Sequence, residues 1–405
     1  MSRPSRKSSP TALLLYGLAL IAVVAARLLR PLVLIRFGNL RNHTIGTFSL
    51  QAEGYMADRD LGLARRTVDF FYHTEPRANR VLDRMIERRL NVTPFARYCQ
   101  AVNSRLPGGA AHVAQLGTPQ QDYTRDHYRA YTQTPQHFFL SQAEIAEARR
   151  ILTERTGMPA DAPFICFFSR TSSYLQHLHK GGEIRAQGEV PTTNIRDSSI
   201  HTFLPAAAEL AQRGFWCFRM GAVVDENIGM PHERVIDYAN TFRSELLDLY
   251  LISHAHMTLS DTTGLCDLTF MFRRPAAVAN LFNVRILHSW GGLVMPKKYV
   301  VEAENRLLSL PELLAHDGGP PSPSRWPDYA RTHGLRIEDD TAEEIADFAV
   351  EALGRLDGSW IDSPEDQARQ TRIEQLYASI PLELGGPLKA RFAASFLRRH
   401  PEFVP

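Results

Sequence analysis

Short apolar runs recur along this chain, each followed by a helical pattern, and that alternation limits the fold to strands and helices taken in turn. Residues 31–37 (Pro-Leu-Val-Leu-Ile-Arg-Phe), 67–72, 163–170, 214–221, 254–259 and 275–280 are apolar stretches of strand length. Near-continuous apolar runs belong to strands covered on both faces of a parallel sheet. Helical spacing follows over residues 47–55, 78–90, 202–213, 244–253 and 266–272, with weaker strands at 113–116 and 235–239. Strand and helix in strict succession predict an α/β fold of doubly wound, Rossmann-like sheets.

At 405 residues the chain exceeds one small core, so two such domains are expected. Ser141 and Glu144 form a capping box that opens a helix to about Thr156, and residues 157–163, rich in Gly, Pro and Ala, read as a linker. The division is therefore 1–30, 31–157, 158–330 and 331–405. Thr341 and Ser363 cap two further helices, and residues 388–399 form a basic amphipathic one. These last helices are expected to brace the two domains. Residues 119–135 read as a long surface loop, 172–191 as a mobile loop and 318–323 as a break.

Charge narrows the function. The net charge of +2 argues against a protein that grips nucleic acid. Arg3, Arg6, Lys7, Arg27 and Arg30 face no acid before residue 31, so that segment carries +5 and the remainder about −3. Residues 11–26 are almost wholly apolar, marginal in length for a bilayer span. The segment reads as a short anchor or an in-plane helix at the cytoplasmic face of the inner membrane. A cleaved signal is the alternative. Four cysteines without CxxC spacing fit a reduced compartment. The pairs His177/His179 and His254/His256 lack further ligands at metal spacing, and Asp58-Arg59-Asp60 reads as a helix end, so no metal site is expected. The absence of G-x-G-x-x-G after the first strand weakens a dinucleotide reading.

The stretch Ser260-Asp261-Thr262-Thr263-Gly264 joins a strand to a helix. Such a junction offers unpaired backbone N–H groups and the positive end of a helix dipole, a natural anion site. Ordinary N-capping satisfies the same residues without any ligand. Arg170, Arg196 and Arg219 fall at or just past strand ends or helix starts on the same expected edge, and arginine suits bidentate contact with phosphate. Gly221, Asp237, Tyr238 and Asn280 lie on that edge as well, as further candidates for the same ligand site.

Several stretches together resemble a family of bacterial glycosyltransferases of the GT-B fold, associated with surface polysaccharide biosynthesis. They are Val33 to Phe37 with Ile45-Gly46, Phe168-Ser169-Arg170 through Tyr174, and Asn194 to Ile200. Further ones are Gly214 to Gly221, Ile236 to Ala239, residues 244–251, Ser260 to Gly264, and residues 392–404. The resemblance implies two Rossmann-like domains facing across a cleft, the second holding a nucleotide-sugar donor and the first a glycan or lipid-linked acceptor. It also implies no metal and no other cofactor, with arginines and helix N-termini neutralising the leaving diphosphate. Heptosyltransferase-like relatives carry Gly-Asp after the first strand, the Asp serving as base. This chain has no Asp there, so Glu53 and His43 are the expected substitutes, with Arg170 in the catalytic set. A nucleotide-sugar epimerase of the same fold and a non-catalytic nucleotide-binding or scaffold protein are the rival readings.

Overall fold

The computed structural model describes residues 10–62, 67–116, 130–180, 194–229, 232–284, 292–315, 325–380 and 390–405. Two parallel α/β sheets and a small antiparallel one make up the described part of the molecule, with an apolar helix ahead of them. The first half runs α1 (Pro10–Leu28), β1 (Leu34–Asn39), α2 (Ile45–Asp60), β2 (Thr67–Tyr72), α3 (Arg80–Glu87), β3 (Asn91–Val92), α4 (Ala96–Asn103), α5 (Ala130–Gln133) and α6 (Gln142–Thr156). Its sheet has the order β1-β2-β3, all parallel, and Val113 adds a single parallel bridge to Phe37. The weak strand expected at 113–116 is that one bridge.

The second half begins with β4 (Phe164–Phe168), α7 (Ser173–Lys180), α8 (Leu204–Gln212), β5 (Trp216–Arg219), β6 (Val235–Ile236), α9 (Tyr238–Thr241) and α10 (Glu245–His254). It continues with β7 (Thr258–Ser260), α11 (Gly264–Met271), β8 (Ala276–Leu281), β9 (Leu293–Pro296), β10 (Lys298–Val301), β11 (Arg306–Leu307), α12 (Leu310–Ala315), α13 (Trp326–His333) and β12 (Leu335–Glu338). The chain closes with α14 (Ala342–Asp357), α15 (Pro364–Ala378), β13 (Arg391–Phe392) and α16 (Ala394–Arg399). Seven parallel strands form the larger sheet in the order β13-β9-β8-β7-β4-β5-β6. Every residue of β4, β7, β8 and β9 is buried; β4 is an unbroken apolar run, while Thr258 and Ser260 in β7 and Asn280 in β8 are buried polar residues.

Three expectations are corrected. Residues 173–180 are helix α7, not loop; the remainder of the stretch expected as a mobile loop, 181–191, lies outside the described residues, as do 119–129 and 318–323. Residues 235–239 form only a two-residue strand, and the chain turns into α9 at Tyr238. Among the described residues the main contacts of the C-terminal helices are with the second half, not with the first domain. There α14 packs on α8 and β8, and β13 pairs in parallel with β9, Arg391 opposite Leu293.

The two halves meet along α2, which is buried on nearly all sides between the first sheet and α11. The helices run parallel: Gly46 meets Gly264 at their starts, and Glu53 meets Arg273 just beyond the end of α11. Asn79 and the backbone of Arg80 add hydrogen bonds to Glu245 at the start of α10, at 2.9 and 3.0 Å. The helix α6 is tied to α3 by the Arg88–Glu144 pair and to α10 by Arg149 donating to the Tyr250 hydroxyl.

Candidate functional site

A cavity of about 660 Å³ opens between the halves, large enough for a nucleotide-sized ligand. Its walls are the segments just past the carboxyl ends of the central strands, where ligands of open parallel sheets sit. From the second half come Phe168 to Thr171 after β4, Arg196, Met220 to Val224 after β5, Thr262 to Asp267 after β7, and Leu281 to Asn283 at and just past the end of β8. Thr44 to Thr47, at the start of α2, and Ala78 close it from the first half.

Three guanidinium groups line this space; Arg243 is paired with Asp248, and Arg170 and Arg196 lie together. Burial, and then the like charge of Arg170, hold Arg196 below the usual arginine range. The Arg196 Nε has only Asn194 Oδ1 at 3.5 Å, and the buried Arg170 Nε has no hydrogen-bond partner, with Asp197 Oδ1 3.4 Å away. Asp197, Asp261 and Asp267 offset part of this charge, but the net effect on Arg196 stays downward, an environment that an anion relieves.

Asp261 holds the two arginine-bearing loops in place. Its Oδ2 accepts from the Arg170 backbone N–H and from Ser198 Oγ, both at 2.7 Å. Complete burial pushes this carboxyl up to about 7, against the opposing pull of those two bonds and of Lys297 and Arg170.

Two helix starts point into the same cavity, one from each half. Thr263 caps α11, its hydroxyl accepting from the Leu265 N–H at 3.1 Å. Thr44, at the cap position of α2, makes no such side-chain bond. Parallel helices that begin side by side add their positive ends together. Asp267, in the first turn of α11, lies against Gly46 and lines the cavity between the two starts. The second carboxylate of the lining, Asp248, is bonded to the Tyr238 hydroxyl at 2.9 Å and to Arg243 at 2.6 Å. Burial pushes it up to about 6 although both partners pull it down.

Of the residues singled out in the sequence, Arg170, Arg196, Gly221, Thr262, Thr263 and Gly264 line the cavity. The others do not, for identifiable reasons. Arg219 is 3 % exposed and turned onto Asp237, Nη1 to Oδ1 3.1 Å, so the two charges answer each other inside the protein. Asp237 also accepts from Asn240. Tyr238 is fully buried, its hydroxyl 2.9 Å from both the Ser244 carbonyl oxygen and Asp248 Oδ1. Ser260 is buried within β7. Asn280, at φ +49°, exchanges hydrogen bonds of 2.7 Å with Asp340. Glu53 is wholly buried and bonded to His137 Nδ1 at 2.9 Å and Arg273 Nη2 at 2.7 Å, a structural position rather than that of a base in the cavity. His43 stands beside the lining with its carbonyl toward the Tyr174 hydroxyl, 3.5 Å away. Gly264 has a different purpose from the one expected: it admits α2, not only a ligand.

Sequence reasoning missed Arg243, Asp248 and Asp267. Asp267 had a readable signal, an acid in the first turn of the helix that opens at Gly264. Among the described residues no group of three or more His, Cys, Asp or Glu is arranged to hold a metal ion.

No family model matches the chain, and no curated protein is similar to it in sequence. Among the solved structures that match parts of it are two glycosyltransferases. One is the crystal structure of the bacterial iron-containing dodecameric glycosyltransferase TibC from enterotoxigenic E. coli H10407, 12 % identical, with a TM-score of 0.32, over 61 % of this chain and 59 % of that one. The other is E. coli ADP-heptose LPS heptosyltransferase II, also 12 % identical with a TM-score of 0.32, over 60 % of this chain and 83 % of that one. At that level of likeness neither protein lends a residue role or an activity to this one.

Proposed function

We propose that this protein is a GT-B glycosyltransferase that moves a sugar from a nucleotide-diphosphate donor to a glycan or lipid-linked acceptor in surface polysaccharide biosynthesis. The observation that carries the reading is the pairing of Arg170 with Arg196 in a cavity where α2 and α11 both begin. In that reading, the guanidinium groups and helix amides take up the charge of the departing nucleoside diphosphate, fixed positive character aimed at the leaving group. The acceptor hydroxyl enters from the Thr44–Thr47 side. Asp267 is the carboxylate within reach of both sides, and it takes the acceptor proton as the glycosidic bond forms.

The experiment is a thermal-shift screen of nucleoside diphosphates, followed by a donor panel with and without acceptor. Binding to the folded form raises apparent stability. A shift with one nucleotide and acceptor-dependent product supports the transferase. A product formed without acceptor indicates an epimerase, and failure of every nucleotide to bind removes the reading.

A further inference from the structure

We infer that α1 lies flat on an anionic lipid bilayer, docked lengthwise against the first domain rather than crossing the membrane. This rests on the helix and its surroundings, independently of the glycosyltransferase reading. The sequence of α1 is apolar from Ala12 to Ala26 with no charge, and protein covers one narrow stripe of it. Ala19, Val23 and Ala26 are buried, packed with Phe37 of β1 and with Ala96 and Cys99 of α4. The open side carries Leu14, Ile21 and Leu28 at 64, 68 and 76 % exposure. A helix apolar on all sides is normally covered on all sides, and a row of this size marks a contact surface.

Charge identifies what covers it. The chain has no Asp or Glu before Glu53 and none from residue 88 to 121, so α1 and α4 both belong to stretches without an acid. Arg30, Arg97 and Arg105 are exposed there. Basic residues flanking an apolar helix match the negative surface of an anionic leaflet, whereas a second copy of this face would bring like charges together.

The docking contacts fix the orientation. At 19 residues α1 is about 28 Å long, near the thickness of a hydrocarbon core. Yet it is held along α4 at both ends. Tyr16 meets Tyr98 edge-on at 5.1 Å, and Arg27 donates to Asn103 Oδ1 at 2.8 Å and to the Pro107 carbonyl at 2.7 Å. A spanning helix held this way would draw α4, with Arg97, into hydrocarbon. Removal of α1 as a leader would uncover Phe37 and Cys99. The helix is therefore part of the domain and offers its outer face sideways.

The test uses the full-length chain and sealed vesicles of phosphatidylcholine, with or without phosphatidylglycerol. The chain should sediment with the phosphatidylglycerol vesicles, less so at high salt. The double variant Leu14→Glu/Ile21→Glu should lose at least tenfold in partitioning while keeping its circular dichroism. Trypsin added outside should still cleave at Arg6 or Lys7 in the bound protein. The inference is overturned if the wild type stays in the supernatant, if the double variant sediments equally well, or if the N-terminal tail is protected inside the vesicle. A dimer that the same variant dissolves, without vesicle binding, also overturns it.

Discussion

Gly46 and Gly264, from opposite halves of the molecule, approach so closely that a Cβ on Gly46 would stand 2.6 Å from the Gly264 Cα. The reverse substitution is milder, a Cβ on Gly264 meeting Gly46 N at 3.2 Å and Ile45 Cγ2 at 3.3 Å. Backbone on the far side cannot give way as a flexible side chain does. Gly46→Ala should therefore cost about 1–3 kcal/mol, the range for overpacking, and Gly264→Ala less. Urea denaturation of the two variants checks the order; equal stabilities would mean that the helices part readily.

Two arginines that look alike in sequence should behave in opposite ways. Arg196→Ala removes a charge already opposed by Arg170, so the melting temperature should hold or rise while nucleoside diphosphate binding weakens at least tenfold. Arg219→Ala leaves Asp237 buried without its partner and should cost about 3–5 kcal/mol of stability. Calorimetric titration alongside chemical denaturation separates the two effects.

Glu53 is expected to matter to the fold rather than to proton transfer. Glu53→Ala should destabilise by about 3–5 kcal/mol, since Arg273 and His137 lose their shared carboxylate. Burial lowers the His137 pKa, but hydrogen bonds to Glu53 and Asp60 outweigh it and hold the ring above its usual value. That contribution is fully present below the ordinary histidine pKa and is lost as pH rises through the raised one. Stability of the wild type measured from pH 5 to 9 should show this loss, and Glu53→Gln should diminish it.

Asp261 predicts a pH effect in a lower window. Its carboxyl, at about 7 when folded against an ordinary value of 3.8, is favourable while protonated. Stability should be greatest below about pH 4 from this group and fall by up to about 1.4 kcal/mol per unit as pH rises toward 7. Asp261→Asn keeps an oxygen for Arg170 N–H and Ser198 and should flatten that slope. An unchanged slope would assign it to other groups.

Asp267→Asn preserves size and should reduce kcat at least a hundredfold with little change in KM, as expected for loss of a base. A rise in KM alone would make Asp267 a binding residue.

Much of the architecture was readable because it depends on local pattern. The buried strand β4 is an unbroken apolar run and β8 is broken only by Asn280, and the Ser141–Glu144 box marks the start of α6 at the residue where it begins. What escaped depends on partners far away in the chain. Nothing near Arg219 distinguishes it from Arg170; only the fold brings Asp237 beside one and leaves the other facing a cavity. Glu53 likewise reads as a candidate base until α11 covers its helix. The small antiparallel sheet of β10, β11 and β12 went unseen because its strands are short and interrupted.

The edge of the larger sheet has a bearing on how the chain reaches its native state. The partner of β9 on that side, β13, arrives from residues 391–392, nearly a hundred positions later. As the polypeptide emerges from the ribosome, β9 therefore waits with a bare row of backbone donors and acceptors, open to mispairing with neighbouring nascent chains. Any truncation ahead of Arg391 would make that interval permanent, so aggregation, rather than a shortened but soluble product, is the outcome to expect.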